Sequence, residues 1–509
     1  MEFSTLKLLP LAIVIGLFAL FFISGLRNRR GMPSEYGLRG LYTGRVGMGA
    51  AIASNWMSAA SFMGLAGMFY LKGYYAMAFV VGWTGGYVLL LVLMATQIRR
   101  FGKFSASDFV GFRYESDFAR TLTACILIVI TIIYSVAQFR GIALLVSWLF
   151  GIDYIPAVMV GALLLVSFVV VSGVMGAARN PKLQYFVLII AFILPLMLLT
   201  RKLGYFWILP QFGYGAAIGD LHHQFGFAWS EPFRNTTLFE WLALCFTLMF
   251  GTAGLPHVLS RFYAVPGIRD ARWGVVWGLF FIALIYWSAP AYGVLARLFE
   301  ARNNIPFSAD DVQAADMVVL TAAGLGGLPR WVTGLLAAGG MIAAFSASAA
   351  LLLSGSASFS YDIYPRLIRP DATEKEKVVA AKAFFLIMAA IVTALTLKPW
   401  GMIAEIAAFA FALAGNTIFP AFLLGIWWCR ANSAGVISGM LTGVAITFAP
   451  FFLGDALPFV SRLFPVTSSA FIGAPLVMIV MMAVSRRSSP PSEEMRRFLA
   501  KDVHGCPDN

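Results

Sequence analysis

About thirteen runs of mostly apolar residues recur along this chain, each long enough to cross a bilayer as a helix. They lie at approximately 6–26, 47–71, 74–97, 121–149, 155–177, 183–201, 237–259, 273–298, 330–361, 379–397, 401–428, 433–454 and 467–485. A helix rises about 1.5 Å per residue, so about 20 apolar residues match a hydrocarbon core roughly 30 Å thick. Of the 509 residues 60% are hydrophobic and only 12% charged, with a mean hydropathy of +0.82. That leaves too little polar surface to cover a water-soluble particle of this size. The chain is expected to be an all-α integral membrane protein embedded in the lipid bilayer.

Charge placement decides the topology. The net charge is +13, but the basic residues sit in short segments between apolar runs, which argues against a nucleic-acid partner. One set of alternate loops holds Arg27, Arg29, Arg30, Arg99, Arg100, Lys103, Arg113, Arg120, Arg366, Arg369, Lys375, Lys377 and the tail cluster from Arg486. The opposite loops hold far fewer, among them Lys72, Arg201, Lys202, Arg302 and Arg330. The rich side is expected in the cytoplasm, which puts the N-terminus outside and the C-terminus inside. The N-terminal run is followed, not preceded, by its basic cluster, so it reads as a retained span. The cysteines Cys125, Cys245, Cys429 and Cys506 match no metal or redox spacing, and no His/Asp/Glu cluster converges inside the runs. Enzyme chemistry is not expected, and no cofactor is called for.

Polar residues inside hydrocarbon are costly and mark candidate sites. The second run carries Ser54, Asn55, Ser58 and Ser61 among four glycines, a composition that suits a discontinuous helix; plain close packing is the competing reading. The fourth run holds Gln138 near its middle and Arg140 about 15 Å from its outer end. A planar guanidinium there suits a carboxylate, or else a structural pair or snorkelling to the interface. The ninth run carries Ser346 about 23 Å from its inner end. Serine hydroxyls with backbone carbonyls are hard ligands for Na⁺, although back-bonding to the helix is the commoner use. Gly251, Gly254 and Pro256 predict unwinding in the seventh run, and Gly415-Asn416-Thr417 with Pro420 predicts a break in the eleventh. The breaks in runs two and seven occupy matching places in two five-run halves, which points to a transporter binding site.

The strings SAASFMGLAGMF, FGKFSASDF, YSVAQFRG, GTAGLPHVLSRFYAV and SYDIY, in this order over about residues 40–430, resemble the sodium/solute symporter family. The nearest branch is the cation/acetate symporters, which carry monocarboxylates. The resemblance implies a LeuT-type core of two inverted five-helix repeats working by alternating access. The divisions expected are 1–40 (first span), 41–205 (repeat one), 206–428 (an extracytoplasmic loop and repeat two) and 429–509 (two further spans and a tail). It implies a sodium site at Ser54, Met57, Ala343, Ser346 and Ala347, the Ser54, Met57 and Ala343 ligands being backbone carbonyls. Ala347 stands where the family carries a second hydroxyl, which Ser348 or water would have to replace. Ala178-Arg179-Asn180-Pro181 lacks the acidic or amide residue usual near the sodium exit. Na⁺ is therefore the implied coupling ion with a site incomplete at Ala347 and Pro181, and proton coupling stays open beside it.

The expected function is secondary active import of a small organic anion such as acetate, propionate or pyruvate across a bacterial inner membrane. Candidate substrate contacts are Asn55, Ser58, Gln138, Arg140, Gly251, Gly254, Asn416 and Thr417. Two alternatives remain: the same fold carrying an amino acid or other solute, and a sensor or regulatory subunit that keeps the fold. A small membrane subunit or a second copy of the chain are the macromolecular partners left open.

Overall fold

The computed structural model describes residues 7–27, 45–101, 105–178, 181–225, 230–231, 233, 236–255, 268–307, 311–454 and 456–504. Among them there are helices and no strands. In chain order the helices are α1 Leu8–Arg27, α2 Arg45–Trp56, α3 Leu65–Lys72, α4 Met77–Leu93, α5 Ala95–Phe101, α6 Ala106–Arg113 and α7 Asp117–Phe150. They continue with α8 Tyr154–Ala178, α9 Pro181–Lys202, α10 Pro210–Phe225, α11 Leu238–Gly254, α12 Ile268–Arg302, α13 Val312–Asp316 and α14 Val318–Leu325. The last are α15 Arg330–Ala357, α16 Glu374–Thr396, α17 Ile403–Trp427, α18 Ser433–Leu453, α19 Pro458–Leu463, α20 Ala470–Arg487 and α21 Glu493–Phe498. Short π-helical segments occupy Ala60–Gly64, Ser358–Ile368 and Leu499–Val503. Among the described residues nine helical stretches are long and apolar enough to cross a membrane, and three shorter apolar helices accompany them.

The centre of the bundle is built around α7 and α17. Helix α7 runs for 34 residues, with Ser116 capping the Ala119 N–H at its start and Gly151 in the left-handed conformation (φ 66°) at its end. Its length, about 50 Å, exceeds a hydrocarbon core, so it tilts or protrudes. It packs on α15, α17 and α8. Helix α17 is buried along nearly its whole length and packs on α11, α7, α18 and α20. Glycines set these approaches. A Cβ on Gly251 would overlap the Phe411 carbonyl, and one on Gly254 would lie 2.7 Å from the Ala414 carbonyl. Both positions therefore bring the α11 backbone against α17 as tightly as helices can meet.

Two expectations about discontinuities separate here. The second run is broken: α2 stops at Trp56, Met57 and Ser58 are non-helical, and the chain resumes through a π turn into α3. The eleventh run is not. Helix α17 passes through Gly415, Asn416 and Pro420 without interruption, which corrects the predicted break. Packing on both sides outweighs the single ladder bond that Pro420 removes. In the seventh run α11 ends at Gly254, with Leu255 extended; Pro256 and His257 lie outside the described residues. The connection between α12 and α15 carries α13 and α14, and Ala315 of α13 packs on Gly67 of α3.

The two ends of the bundle are held differently. At the end where α17 finishes, Arg113 donates to the carbonyls of Gly425 (2.6 Å), Trp428 (3.1 Å) and Ala431 (3.1 Å) and so caps that helix. Beside it, Asp362 accepts from Ser107 at 2.5 Å and from Arg120 at 2.8 Å, while Arg120 also pairs with Asp108 at 2.9 Å. At the end where α17 begins, a single buried ion pair does the corresponding work.

Candidate functional site

The break in the second run exposes backbone groups that a continuous helix would satisfy. The ladder stops with Met57 N–H on the Ala53 carbonyl at 2.8 Å and resumes with Phe62 N–H on Ser58 at 2.9 Å. The Ser54 carbonyl thereby loses its usual i+4 donor. The Ala59 N–H is taken by Gln138 Oε1 of α7 at 2.8 Å. This uses only half of the Gln138 amide. Its Nε2 is buried and has no partner. A buried donor without an acceptor costs about 1–3 kcal/mol, and a ligand is one of the few things that justify retaining it.

An aromatic cage with hydroxyl corners surrounds this point. Trp56 Nε1 donates to Tyr286 Oη at 2.6 Å, and Ser61 Oγ lies 3.0 Å from the same oxygen. Tyr134 Oη donates to Ser58 Oγ at 3.3 Å. The Phe411 ring centroid sits 5.9 Å from Trp56, 5.9 Å from Trp83 and 5.6 Å from Tyr134. Trp83 Nε1 is a second buried donor without a partner. Two unsatisfied N–H donors among aromatic faces suit a small solute with an acceptor group and an apolar body.

Arg140 lies two residues beyond Gln138 and is engaged from the other side. Its Nε donates to Asp316 Oδ2 at 2.7 Å, with Arg140 6% and Asp316 0% exposed. Asp316 closes α13 and also accepts the Ile403 N–H at 3.2 Å, so it caps the start of α17. Gly141 lets α7 meet Ala59 next to the break. Burial pushes the Asp316 carboxyl up, against the opposing pull of Arg140 and the Ile403 N–H, to about 6.

The implied ion ligands fall on α2, the break and α15. Helix α15 packs against both α2 and the π turn that follows the break. Ala343, Ser346 and Ala347 share one face of α15 at i, i+3 and i+4. Ser346 Oγ donates to the Ala343 carbonyl at 3.1 Å, so the two oxygens stand as neighbours in one coordination shell would. Ala347 adds only a methyl group. Ser348 does not replace it: two residues along, it points about 200° away from Ser346 and back-bonds to the Ala344 carbonyl at 2.7 Å. Four of the five positions thus offer oxygen of the kind Na⁺ takes. Asn180 and its neighbour Arg179 lie outside the described residues.

The other expected contacts divide. Ser58 and Gln138 come together at the break, whereas Arg140, about 200° around α7 from Gln138, is engaged with Asp316. Gly251 and Gly254 press on the backbone of α17 next to Phe411. Asn416 is not brought there: it lies about 140° around α17 from Phe411, and its Nδ2 donates to Thr447 at 2.9 Å and Ser469 at 3.1 Å. Thr417 back-bonds to the Leu413 carbonyl at 2.6 Å. The side chain of Asn55 lies outside the described residues. Sequence reasoning missed Trp83, Tyr286 and Phe411, which read as ordinary apolar filling, and Asp316, which lies outside every apolar run.

A broken helix crossed by a long one, with a buried unsatisfied donor at the crossing and apolar helices all round, defines a multi-pass membrane transporter. The sodium:solute symporter family model matches residues 36–443, and the chain belongs to that family. It is similar to the uncharacterized symporter YwcA of Bacillus subtilis, with 30% identity over 93% of this chain and 92% of that protein. An uncharacterized symporter of Cupriavidus necator is 26% identical over 95% of this chain and 92% of its own length. Among solved structures, a substrate-bound, outward-open Na⁺-coupled sialic acid symporter superposes with a TM-score of 0.76 at 16% identity, covering 95% of this chain and 99% of that one. A nucleobase-cation-symport-1 family transporter in a closed conformation with bromovinylhydantoin bound gives 0.52 at 12% identity, covering 92% and 98%. The fold is thus LeuT-type, and membership of the family implies a solute substrate and a coupling cation.

Proposed function

We propose that this chain imports a small organic anion, a monocarboxylate such as acetate, propionate or pyruvate, together with Na⁺ or H⁺. The observation that carries the reading is Gln138 Nε2, a buried donor without an acceptor at the break. A carboxylate would supply that acceptor and take Arg140 as its counter-charge once the guanidinium leaves Asp316, and the rings of Trp56, Trp83 and Phe411 would cover a short alkyl or keto body. Na⁺ would bind the carbonyls of Ser54, Met57 and Ala343 and the hydroxyl of Ser346, with water in place of the hydroxyl absent at Ala347. The Na⁺ coupling of the sialic acid symporter that shares the fold supports this choice. The paired five-helix repeats at 41–205 and 206–428 would rock about the site, exposing it alternately to each side.

The excess of basic residues on one set of loops favours an inner-membrane orientation with the N-terminus outside and the C-terminus in the cytoplasm. The Arg140–Asp316 pair would then close the outer side, and the Asp108–Arg120–Asp362 cluster the inner side. The role is transport rather than enzyme catalysis. Equilibrium binding of radiolabelled pyruvate to the purified protein tests the site. Wild type should bind saturably, and Arg140→Ala should lose at least about tenfold in affinity, as expected when a charge-assisted bond of about 1.5–3 kcal/mol is removed. Equal affinity in the two proteins would contradict the assignment.

A further inference from the structure

The buried ion pair poses a charge-balance problem for any anionic substrate. Arg140 and Asp316 are both nearly inaccessible and together neutral. A carboxylate arriving at Arg140 would leave two negative groups and one positive group in the same buried volume. An uncompensated buried charge costs several kcal/mol, more than a small monocarboxylate gains from a few contacts.

Among the described residues no side chain around the pair carries a spare positive charge, and the Na⁺ proposed above would sit on α2, the break and α15 rather than at α13. Glu405, near the start of α17, faces Asp316 and is already paired with Lys72 of α3 at 2.8 Å. Tyr154 of α8 faces both members of the pair, and Asp311 at the start of α13 is acidic. Helix α14 and the π turn Ala60–Gly64, both packed on α13, contribute no charged side chain. The simplest neutral solution is a proton on Asp316.

We propose that Asp316 is a proton acceptor of the transport cycle: a substrate carboxylate replaces it on Arg140, and Asp316 takes one proton from the outer solution. The proton leaves water and bonds to an Asp316 carboxylate oxygen, so the site holds Arg140 and one anion before and after. Release of substrate to the inside returns the proton to water and restores the ion pair. Asp316 is suited to this because, among the described residues, its ionised form is held by two donors, Arg140 Nε and the Ile403 N–H. Its carboxyl is already raised by burial, close to neutrality. It also terminates a helix of five residues, an element small enough to shift when the pair opens.

This inference rests on the reading that a carboxylate binds at Arg140, and the test separates the two. The purified chain in lipid nanodiscs, in saturating Na⁺ and dilute buffer with a pH-indicating dye, is titrated with acetate, propionate, pyruvate and lactate. Wild type should take up about one proton per carboxylate bound, and affinity should fall by about tenfold per pH unit above about pH 6, as one-proton linkage requires. Asp316→Asn should abolish the uptake and flatten the pH dependence, while Asp316→Glu should restore both. Wild-type binding without proton uptake, or uptake that persists in Asp316→Asn, overturns the proton assignment and leaves the substrate reading standing. Failure of all four acids to bind overturns the substrate reading, and the proton assignment with it.

Discussion

Gln138 Oε1 accepts the Ala59 N–H at 2.8 Å, which fastens the central helix α7 to the break in the second span. The same amide presents an unpartnered, buried Nε2 donor. The two halves of the amide can be separated by substitution. Gln138→Leu removes both and orphans a buried N–H, which should cost about 1–3 kcal/mol of stability and appear as a lower Tm with loss of binding. Gln138→Glu keeps the acceptor for Ala59 but presents no amide donor. It should still fold, with a Tm lowered by burial of the new carboxyl, and reject the carboxylate, read by pyruvate binding.

The ion site predicts a gain as well as a loss. Ala347→Ser restores a hydroxyl on the face that carries Ala343 and Ser346. It should lower the Na⁺ concentration that half-saturates uptake by several-fold, whereas Ser346→Ala should raise it. Identical Na⁺ dependence in wild type and both variants would place the ion elsewhere.

Helix α11 has no room to move away from α17. Gly251→Ala drives a methyl group into the Phe411 carbonyl, and overpacking of this kind costs about 1–3 kcal/mol. A lower Tm and impaired uptake are expected. Gly16→Ala, where nothing lies within 4 Å, is the matched control and should leave both unchanged or slightly raise the Tm.

Asn416 ties α17 to α18 and α20 rather than facing the cage. Asn416→Ala should lower the Tm as Thr447 and Ser469 lose their partner, with pyruvate affinity kept within about twofold. A tenfold loss of affinity at unchanged Tm would return Asn416 to the binding site.

Much of this architecture was legible in the sequence because lipid imposes a simple rule. Long apolar runs must be helices, and polar or small residues inside them must be explained. That rule located the broken second span, Gln138, Arg140 and Ser346. It failed in two ways. Gly415, Asn416 and Pro420 suggest a break, yet neighbours packed all round α17 keep the helix whole, which a local pattern cannot reveal. Asp316 was overlooked because it sits in a connecting segment; only the folding of α13 onto α3 brings it to Arg140. Trp83, Tyr286 and Phe411 carry no signal of their own, since an aromatic in an apolar run looks the same whether it faces lipid, core or ligand.

The central claim, cation-driven import of a monocarboxylate, is tested most directly by uptake of radiolabelled pyruvate into proteoliposomes under an imposed inward Na⁺ or H⁺ gradient. The account predicts accumulation above the equilibrium level that collapses when the gradients are dissipated and is absent in Arg140→Ala. Uptake that merely equilibrates, indifferent to both gradients, would contradict it.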